Sequence, residues 1–316
     1  MRVVALAGGV GGGKFLRGLV RAVPPSDVTV VVNTGDDRRF HGLHVSPDLD
    51  SVTYWLGGVA DRDRGWGRVG ETFRATEELR AFGAPDAWFG LGDLDLATHL
   101  IRTEILASGL TLSEATARVT ARFAIRARVL PMTDDPVETR VSAVDEHGGS
   151  LDLHFQEYWV ERRGLDDVKS VRFAGIEGAQ PAPGVLESIS DADAILVAPS
   201  NPIVSIGPVL AVPGIREAVA GRRAVVAGVS PIVGGEVLAG MADRLMPAAG
   251  LEVSALGAAR VYDGLLAGWV VDEADRDLAR RIETELGVDV AVTDTVIRDD
   301  AVAEAVARSA LSLVTP

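Results

Sequence analysis

The first 33 residues restrict the fold of this chain more than any other part, because two apolar runs enclose a glycine-rich and an amphipathic segment. Residues 2–7 and 28–32 are aliphatic and β-branched without alternation, which is typical of strands buried on both faces of a sheet. Between them, Lys14–Val23 has the periodicity of an amphipathic helix. The pattern predicts a strand–helix–strand unit and therefore an α/β fold with a mostly parallel sheet.

The rest of the chain continues this alternation and predicts one domain over residues 1–316, with a helical insertion at about 66–127 and a β-hairpin subregion at about 128–163. Helices are predicted at 47–56 with Ser46 as the N-cap, at 71–82, at 94–108, from 112 onward after a capping box, and near 254–266, 274–286 and 299–313. Strands are predicted at 128–131, 139–145, 150–154, 194–198, 224–227, 268–271 and 289–292.

Composition excludes several classes of site and partner. The chain has no cysteine, so disulfides and thiolate metal sites are excluded. A net charge of −14, with only two lysines, Lys14 and Lys169, argues against a nucleic-acid partner. No apolar run reaches the length of a signal peptide core or a membrane span, so we expect a cytoplasmic protein without a membrane partner.

The glycine run at residues 8–13 nearly matches two phosphate-binding motifs and completes neither. For a P-loop, Gly8 and Gly13-Lys14 have the right spacing, but Phe15 stands where a hydroxyl would hold Mg²⁺. For a dinucleotide-binding motif, Lys14 replaces the third glycine, and the second strand ends at Asn33 instead of an acidic residue. This weakens the interpretation of the chain as an NAD-dependent oxidoreductase.

Both motifs share one physical feature that this run retains. Glycines after a buried strand allow the backbone to approach an anion, and the following helix directs its free N–H groups and positive dipole end toward it. The alternative is a turn without a ligand, for which each glycine would cost about 0.5–1 kcal/mol of chain entropy. We therefore expect phosphate to bind at Gly9, Val10, Gly11, Gly12 and Gly13, with Lys14 as an added charge.

Carboxylates follow the second strand, at the sheet edge where ligands of open α/β folds bind. Asp36, Asp37, Asp48 and Asp50 lie within fifteen residues. Oxygen ligands of this type suit Mg²⁺, which combines a few carboxylates with substrate phosphates. Alternatively, Asp48 and Asp50 occupy a helix N-terminus, where the dipole favours acidic residues in any case.

Eight segments together resemble a known family, and they extend from about residue 3 to about residue 270. They are "GGVGGGKFLRGL", "VVNTGDD", "SPDLDSVTYWLGG", "LGDLDLATHLIRTEIL", "LPMTDDPVET", "HFQEYWV", "APSNPIVSIGPVL" and "GVSPIVGG". In this order they are similar to the 2-phospho-L-lactate transferases of deazaflavin coenzyme biosynthesis. The resemblance implies a Mg²⁺-dependent, homodimeric enzyme with a Rossmann-like, doubly wound sheet.

The same resemblance implies the reaction. A guanosine diphosphate-linked phosphoenolpyruvate or 2-phospho-L-lactate donor would transfer its distal phosphoryl unit to the ribityl hydroxyl of a deazariboflavin acceptor and release GMP. The residues leave open which three-carbon group the donor carries. Such a transfer needs in-line positioning and charge neutralisation more than covalent help from the protein.

Within this interpretation, Asp36 and Asp50 are the predicted catalytic residues and metal ligands. Asp37 and Asp48 are alternatives that would contact the metal's ligands or the acceptor hydroxyl. A carboxylate of this cluster is the best available base to remove the proton of that hydroxyl. The resemblance also places Asp50 against the deazaflavin. The further predicted nucleotide- or substrate-binding residues are Asn33, Asp48, Asp93, His99, Ser200, Asn201 and Ser230.

These assignments have structural alternatives. His99 could be a helix histidine bonded to a neighbour, and Ser200 with Asn201 could form a structured turn. A sugar-nucleotide-binding regulatory protein of the related gluconeogenesis-factor type is the competing function, because it shares the glycine run and a similar acidic stretch. The segments "HFQEYWV" and "APSNPIVSIGPVL" favour the transferase.

Overall fold

A computed structural model describes residues 1–315 of the chain. Its strands are β1 (Val3–Ala7), β2 (Val28–Val32), β3 (Arg38–Phe40), β4 (Leu43–Val45), β5 (Arg128–Pro131), β6 (Glu138–Val144), β7 (Ser150–His154), β8 (Asp167–Ala174), β9 (Ala194–Val197), β10 (Val226–Val229), β11 (Ile232–Val233), β12 (Glu236–Val237), β13 (Gly268–Asp272) and β14 (Asp289–Thr293).

The helices alternate with these strands. They are α1 (Gly9–Ala22), α2 (Pro47–Leu56), α3 (Arg74–Ala81), α4 (Asp93–Ala107), α5 (Leu112–Arg122), α6 (Val185–Asp191), α7 (Ile206–Ala211), α8 (Ile215–Ala220), α9 (Ala242–Ala248), α10 (Ala255–Arg260), α11 (Ala279–Leu286) and α12 (Asp300–Ser312). Short 3₁₀ segments occupy Pro25–Asp27, Ile176–Gly178, Arg223–Val225 and Glu273–Leu278, and a π-helical turn occupies Glu157–Glu161.

A seven-stranded parallel sheet forms the centre of the fold, in the order β14-β13-β10-β9-β1-β2-β5. From β1 the chain adds strands in one direction to β5, and from β9 it adds them in the other. The strand order therefore reverses between β1 and β9, where open α/β sheets bind their ligands. The α/β fold with a parallel sheet, predicted from periodicity, is confirmed.

Two apolar cores cover the two faces of the sheet, because successive side chains of each strand point in opposite directions. In β1, Val4 and Leu6 belong to one core, whereas Val3, Ala5 and Ala7 belong to the other. Helices α1 and α12 pack on the second face, and Gly18 permits their close approach: a Cβ there would lie 2.0 Å from the backbone carbon of Ala303.

The predicted insertion region contains α3, α4 and α5, and the capping box of α5 forms between Thr111 and Glu114. The predicted hairpin pairs β6 with β7, and β8 joins β6 on its other side, so the small antiparallel sheet continues to Ala174. No helix within residues 1–315 is long and apolar enough to cross a bilayer.

Three local features differ from the sequence-based expectations. Helix α1 begins at Gly9, five residues before the predicted start, so most of the glycine run is helical. A short hairpin, β3–β4, lies between β2 and α2 in a stretch for which neither a strand nor a helix was predicted. Ser46 precedes α2 as predicted, but its hydroxyl donates to Asp37 over 2.6 Å instead of capping the helix.

Candidate functional site

The loops that follow β1 and β9 are joined by one side chain at the point where the strand order reverses. The buried Ser200 hydroxyl accepts a hydrogen bond from Gly8 N over 3.1 Å and donates one to Gly8 O over 2.7 Å. Both polar backbone groups of Gly8 are thereby satisfied. Ser200 thus fixes the entry to α1, whose first-turn N–H groups have no intrahelical acceptors.

The glycines of α1 are explained by close packing as well as by access to an anion. A Cβ on Gly11 would lie 2.4 Å from the carbonyl oxygen of Pro199, and one on Gly12 would lie 2.7 Å from the Ser200 hydroxyl. A Cβ on Gly13 would lie 2.6 Å from the Trp55 ring. The N-terminus of α1 is therefore held against the β9 loop and α2.

Asp48 occupies the start of α2 and faces this N-terminus. Asn33 Nδ2 donates to Asp48 Oδ2 over 2.9 Å and to the carbonyl of Val204 over 3.1 Å. Burial raises the pKa of Asp48 to about 6, although hydrogen bonds from Asn33, the Gly9 backbone and Ser205 oppose the rise. Asn33, predicted as a ligand contact, uses its amide to connect Asp48 with the loop after β9.

Asp36 is buried beside Asp48 and carries an unsatisfied oxygen. Burial, followed by the charge of Asp48, raises the pKa of Asp36 well above its ordinary value. Gln156 Nε2 lies 3.4 Å from Asp36 Oδ2, while Asp36 Oδ1 has no hydrogen-bond partner within residues 1–315. The hydroxyl of Thr139, on β6, is buried and likewise unpartnered in the described chain.

Asp37 is bound on one oxygen only. His44 Nε2 lies 3.0 Å from Asp37 Oδ2, and the Ser46 hydroxyl donates to the same atom. Burial raises the pKa of Asp37, and the contacts with His44 and Ser46 partly counteract it. Its Oδ1 has no hydrogen-bond partner within the described residues.

Asp50 is held by a buried arginine from the helical insertion. Both terminal nitrogens of Arg102 donate to the Asp50 carboxylate, Nη1 to Oδ2 over 3.0 Å and Nη2 to Oδ1. His99 Nδ1 lies 3.3 Å from Arg102 Nη1, and His99 Nε2 lies 3.2 Å from Asp95 Oδ2. The Tyr54 hydroxyl donates to Asp95 and completes a buried network between α2 and α4.

Lys14 lies beside Trp55 of α2. Its ammonium lies 5.8 Å from the centre of the Trp55 ring, in a small cavity of about 50 Å³ that Arg62 and residues 297–300 also line. Arg62 and Arg17 both bind Asp300, at 2.9 Å and 2.8 Å. Lys14 forms no ion pair with any described residue, so its charge is available to a ligand.

Three other predicted site residues use their side chains in local structure. Asp93 accepts hydrogen bonds from Thr72 and from the backbone N–H of Ala75 at the start of α3. Asn201 Oδ1 accepts from Ile203 N over 2.9 Å within its own turn. Ser230 bonds both the carbonyl and the N–H of Ile232. Their contacts to a nucleotide stay predictions.

The acidic cluster suits a divalent cation in its chemistry. Every candidate ligand is an oxygen, and buried Asp36 Oδ1 and Asp37 Oδ1 lack partners within residues 1–315. No three His, Asp or Glu side chains of the described chain form a ready-made metal cage. A site completed by substrate phosphates and water is the arrangement that Mg²⁺ usually adopts.

Three residues of the site were not predicted from the sequence: Arg102, Thr139 and Gln156. Arg102 lies three residues after His99 on α4, and this i, i+3 spacing on one helix face was the available signal. Thr139 and Gln156 approach Asp36 from β6 and from the segment after β7, which only the tertiary fold brings there.

Comparisons with known proteins agree along the full length. The family model of 2-phospho-L-lactate transferase CofD matches residues 3–309. A phosphoenolpyruvate transferase of Streptomyces griseus subsp. griseus is 50% identical, covering 99% of this chain and 98% of that protein. One from Thermobifida fusca is 47% identical with the same coverage. A solved UPF0052-family protein from Bacillus halodurans has a TM-score of 0.63 at 18% identity, covering 98% of both chains, which shows a shared fold alone.

Proposed function

Because the chain belongs to the 2-phospho-L-lactate transferase CofD family, we propose that it transfers a phosphoenolpyruvyl group from a guanosine diphosphate-linked donor to a deazariboflavin. The acceptor is the ribityl hydroxyl of 7,8-didemethyl-8-hydroxy-5-deazariboflavin, and GMP is released. The observation that carries this proposal is the near-complete coverage by relatives named phosphoenolpyruvate transferase at about half identity. The 2-phospho-L-lactyl group is the alternative cargo.

The donor phosphates would bind at the N-terminus of α1. There the first-turn N–H groups of Val10 and Gly11 and the positive end of the helix dipole favour an anion. Ser200 and Pro199 hold this turn in place from the β9 loop. Lys14, which has no carboxylate partner in the described chain, would add a positive charge beside the phosphates.

Asp36 and Asp50 would hold magnesium, whose charge would neutralise the transferring phosphoryl group. The unpartnered, buried Oδ1 of Asp36 supports its role. The Asp50 carboxylate has lone pairs beyond those that Arg102 uses, so the ion pair leaves room for a metal contact. Asp48 would accept the proton of the acceptor hydroxyl, since a pKa of about 6 suits a general base near neutral pH.

One assay tests the reaction. The protein is incubated with Mg²⁺, the deazariboflavin and each guanylated donor, and GMP and the phosphorylated deazaflavin are quantified. We expect product from the enolpyruvyl donor and none after removal of Mg²⁺ with a chelator. If GMP forms with neither of the two donors, the proposed function is refuted.

A variant pair tests the metal ligand. Asp36→Asn keeps the size of the side chain and removes the charge, so turnover should fall by at least about 100-fold while the fold is retained. Asp167→Asn, at an exposed surface ion pair with Lys169, is the matched control and should behave as wild type. Full activity of Asp36→Asn would contradict the ligand assignment.

The homodimer is also part of this proposal. Helix α4 exposes Leu94, Leu100 and Ile101, three large apolar side chains on the outside of the insertion. Light scattering of the purified chain measures the state directly, and a monomer at micromolar concentration would contradict it.

A further inference from the structure

Arg102 is a fully buried cation in the middle of the insertion helix α4, with 1% of its side chain exposed. Arginine is almost never buried to this degree unless it is paired. A buried ion pair is also a poor way to gain stability, because well-packed apolar side chains usually stabilise as much or more. The burial of Arg102 against Asp50 therefore calls for an explanation other than stability.

The contacts of Arg102 give that explanation. Its planar guanidinium bonds both oxygens of Asp50, so the carboxylate cannot rotate without losing a hydrogen bond. His99 contacts Nη1 over 3.3 Å, and Asp95 Oδ2 lies 3.2 Å from Nε2 on the far side of the His99 ring, without a hydrogen bond of normal geometry. Arg102 thus fixes the orientation of the Asp50 carboxylate directly, and His99 lies against the same guanidinium.

The network also joins two parts of the chain that the sequence separates. Asp50 lies in α2, directly after the acidic segment of the site, whereas Arg102, His99 and Asp95 all lie on α4 of the insertion. Tyr54, on α2, bonds Asp95 and closes the network at its other end. The insertion therefore contacts the candidate site at Asp50, and it also contacts the β3–β4 hairpin, where His44 N donates to the hydroxyl of Thr103 on α4 over 2.8 Å.

We propose that Arg102 is a positioning residue that fixes the orientation of the Asp50 carboxylate for the binding of a divalent cation. The inference rests on the proposed function, because it takes Asp50 as a metal ligand. His99 supports this position through its contact with Arg102 Nη1. Mutation of a side chain that holds a metal ligand in place without touching the metal typically weakens metal affinity by about 10- to 100-fold.

The test measures metal binding without turnover. Mn²⁺ replaces Mg²⁺, and its affinity for the protein in the presence of GDP is followed by electron paramagnetic resonance. Arg102→Lys keeps the charge and removes the planar pair of donors, so we expect Mn²⁺ to bind about 10- to 100-fold more weakly. The affinity for GDP without metal should stay unchanged.

Two comparisons separate positioning from a structural role. Arg118→Lys on α5 changes an exposed arginine of the same insertion and should leave Mn²⁺ affinity at the wild-type value. Arg102→Lys combined with Asp50→Asn should bind Mn²⁺ no more weakly than Asp50→Asn alone, because both changes remove the same interaction. Additive losses would overturn the inference.

Further outcomes also decide the case. Mn²⁺ affinity of Arg102→Lys within twofold of wild type would overturn the inference, even if its melting temperature fell. If Arg102→Lys does not fold, His99→Phe removes the contact with Arg102 Nη1, and an unchanged Mn²⁺ affinity in that variant would overturn the inference too. Wild-type protein that binds Mn²⁺ but releases no GMP would refute the proposed reaction. The Mn²⁺ affinities of wild type and Arg102→Lys would then still decide the inference. Wild-type protein that binds no Mn²⁺ with GDP would refute the metal site and the inference together.

Discussion

Gly11 provides the sharpest test of the phosphate site, because its environment is set by backbone and not by a movable side chain. A Cβ at this position would lie 2.4 Å from the carbonyl oxygen of Pro199, whereas ordinary contact begins at 3.4 Å. Gly11→Ala must therefore push the first turn of α1 and the β9 loop apart by about 1 Å. Neither element can yield easily, since Ser200 bonds both polar groups of Gly8.

Two opposing contributions determine the change in stability. Forcing extra atoms into a packed site costs about 1–3 kcal/mol. Alanine, however, stabilises a helix interior over glycine by about 1 kcal/mol. The free energy of unfolding should thus fall by no more than about 2 kcal/mol, and the variant should remain folded at room temperature.

The functional effect should be much larger than the effect on stability. Displacing a binding or reacting group by about 1 Å commonly costs about 100-fold in rate. Calorimetric titration with GDP and Mg²⁺, and the GMP-release assay, should therefore both show a strong loss. Gly178→Ala is the matched control, because a Cβ there meets open space and its backbone needs no positive φ. If Gly11→Ala binds GDP as wild type does, the donor phosphates do not lie at the start of α1.

Two further predictions concern the groups around this turn. Burial and the charge of Asp48 raise the pKa of Asp36, so without metal the folded state holds the carboxyl proton of Asp36 more tightly than the unfolded chain does. The stability that this proton provides is lost as pH rises above the ordinary carboxyl pKa of about 4. Asp36→Asn should therefore be more stable than wild type in urea unfolding at pH 7 with a chelator, with a smaller difference at pH 4, and a destabilised variant at pH 7 would contradict this reasoning. Ser200→Ala leaves the buried N–H and carbonyl of Gly8 without their partner, and it should lower the free energy of unfolding by about 1–3 kcal/mol, whereas Ser26→Ala at an exposed position should not.

The sheet could be predicted from the sequence because its strands are apolar on both faces, and β1, β2, β5 and β9 fall at or within one residue of the predicted bounds. The start of α1 could not. Glycine has poor helix propensity, so residues 9–13 indicate a loop, and only contacts with Pro199, Ser200 and Trp55 explain why glycine is needed in that helix. Local patterns carry no information about such approaches between distant segments.

The candidate site shows the same division. The positions of Asp36, Asp48 and Asp50 after β2 followed from the strand and the helix that flank them, and the structure places all three in buried surroundings. The sequence did not indicate which of the three carboxylates is bound to another side chain of the protein. Arg102 and Asp50 are 52 residues apart, and Gln156 reaches Asp36 across 120, so the partners depend on how the insertion and the small sheet fold back.

Under the proposed function, the electrostatics of the site would make the binding of magnesium and the binding of the donor depend on each other. The helix dipole at the start of α1 favours phosphate, but Asp36 and Asp48, once ionised, would repel it in a chain whose net charge is already −14. A cation alone would lose most of its hydration for few protein ligands, and the phosphates alone would face unscreened carboxylates. Bound together, each removes the penalty of the other, so by linkage each must raise the affinity of its partner by the same factor. The acidic residues beside the proposed phosphate site would thus favour binding of the donor together with its metal over binding of the donor alone.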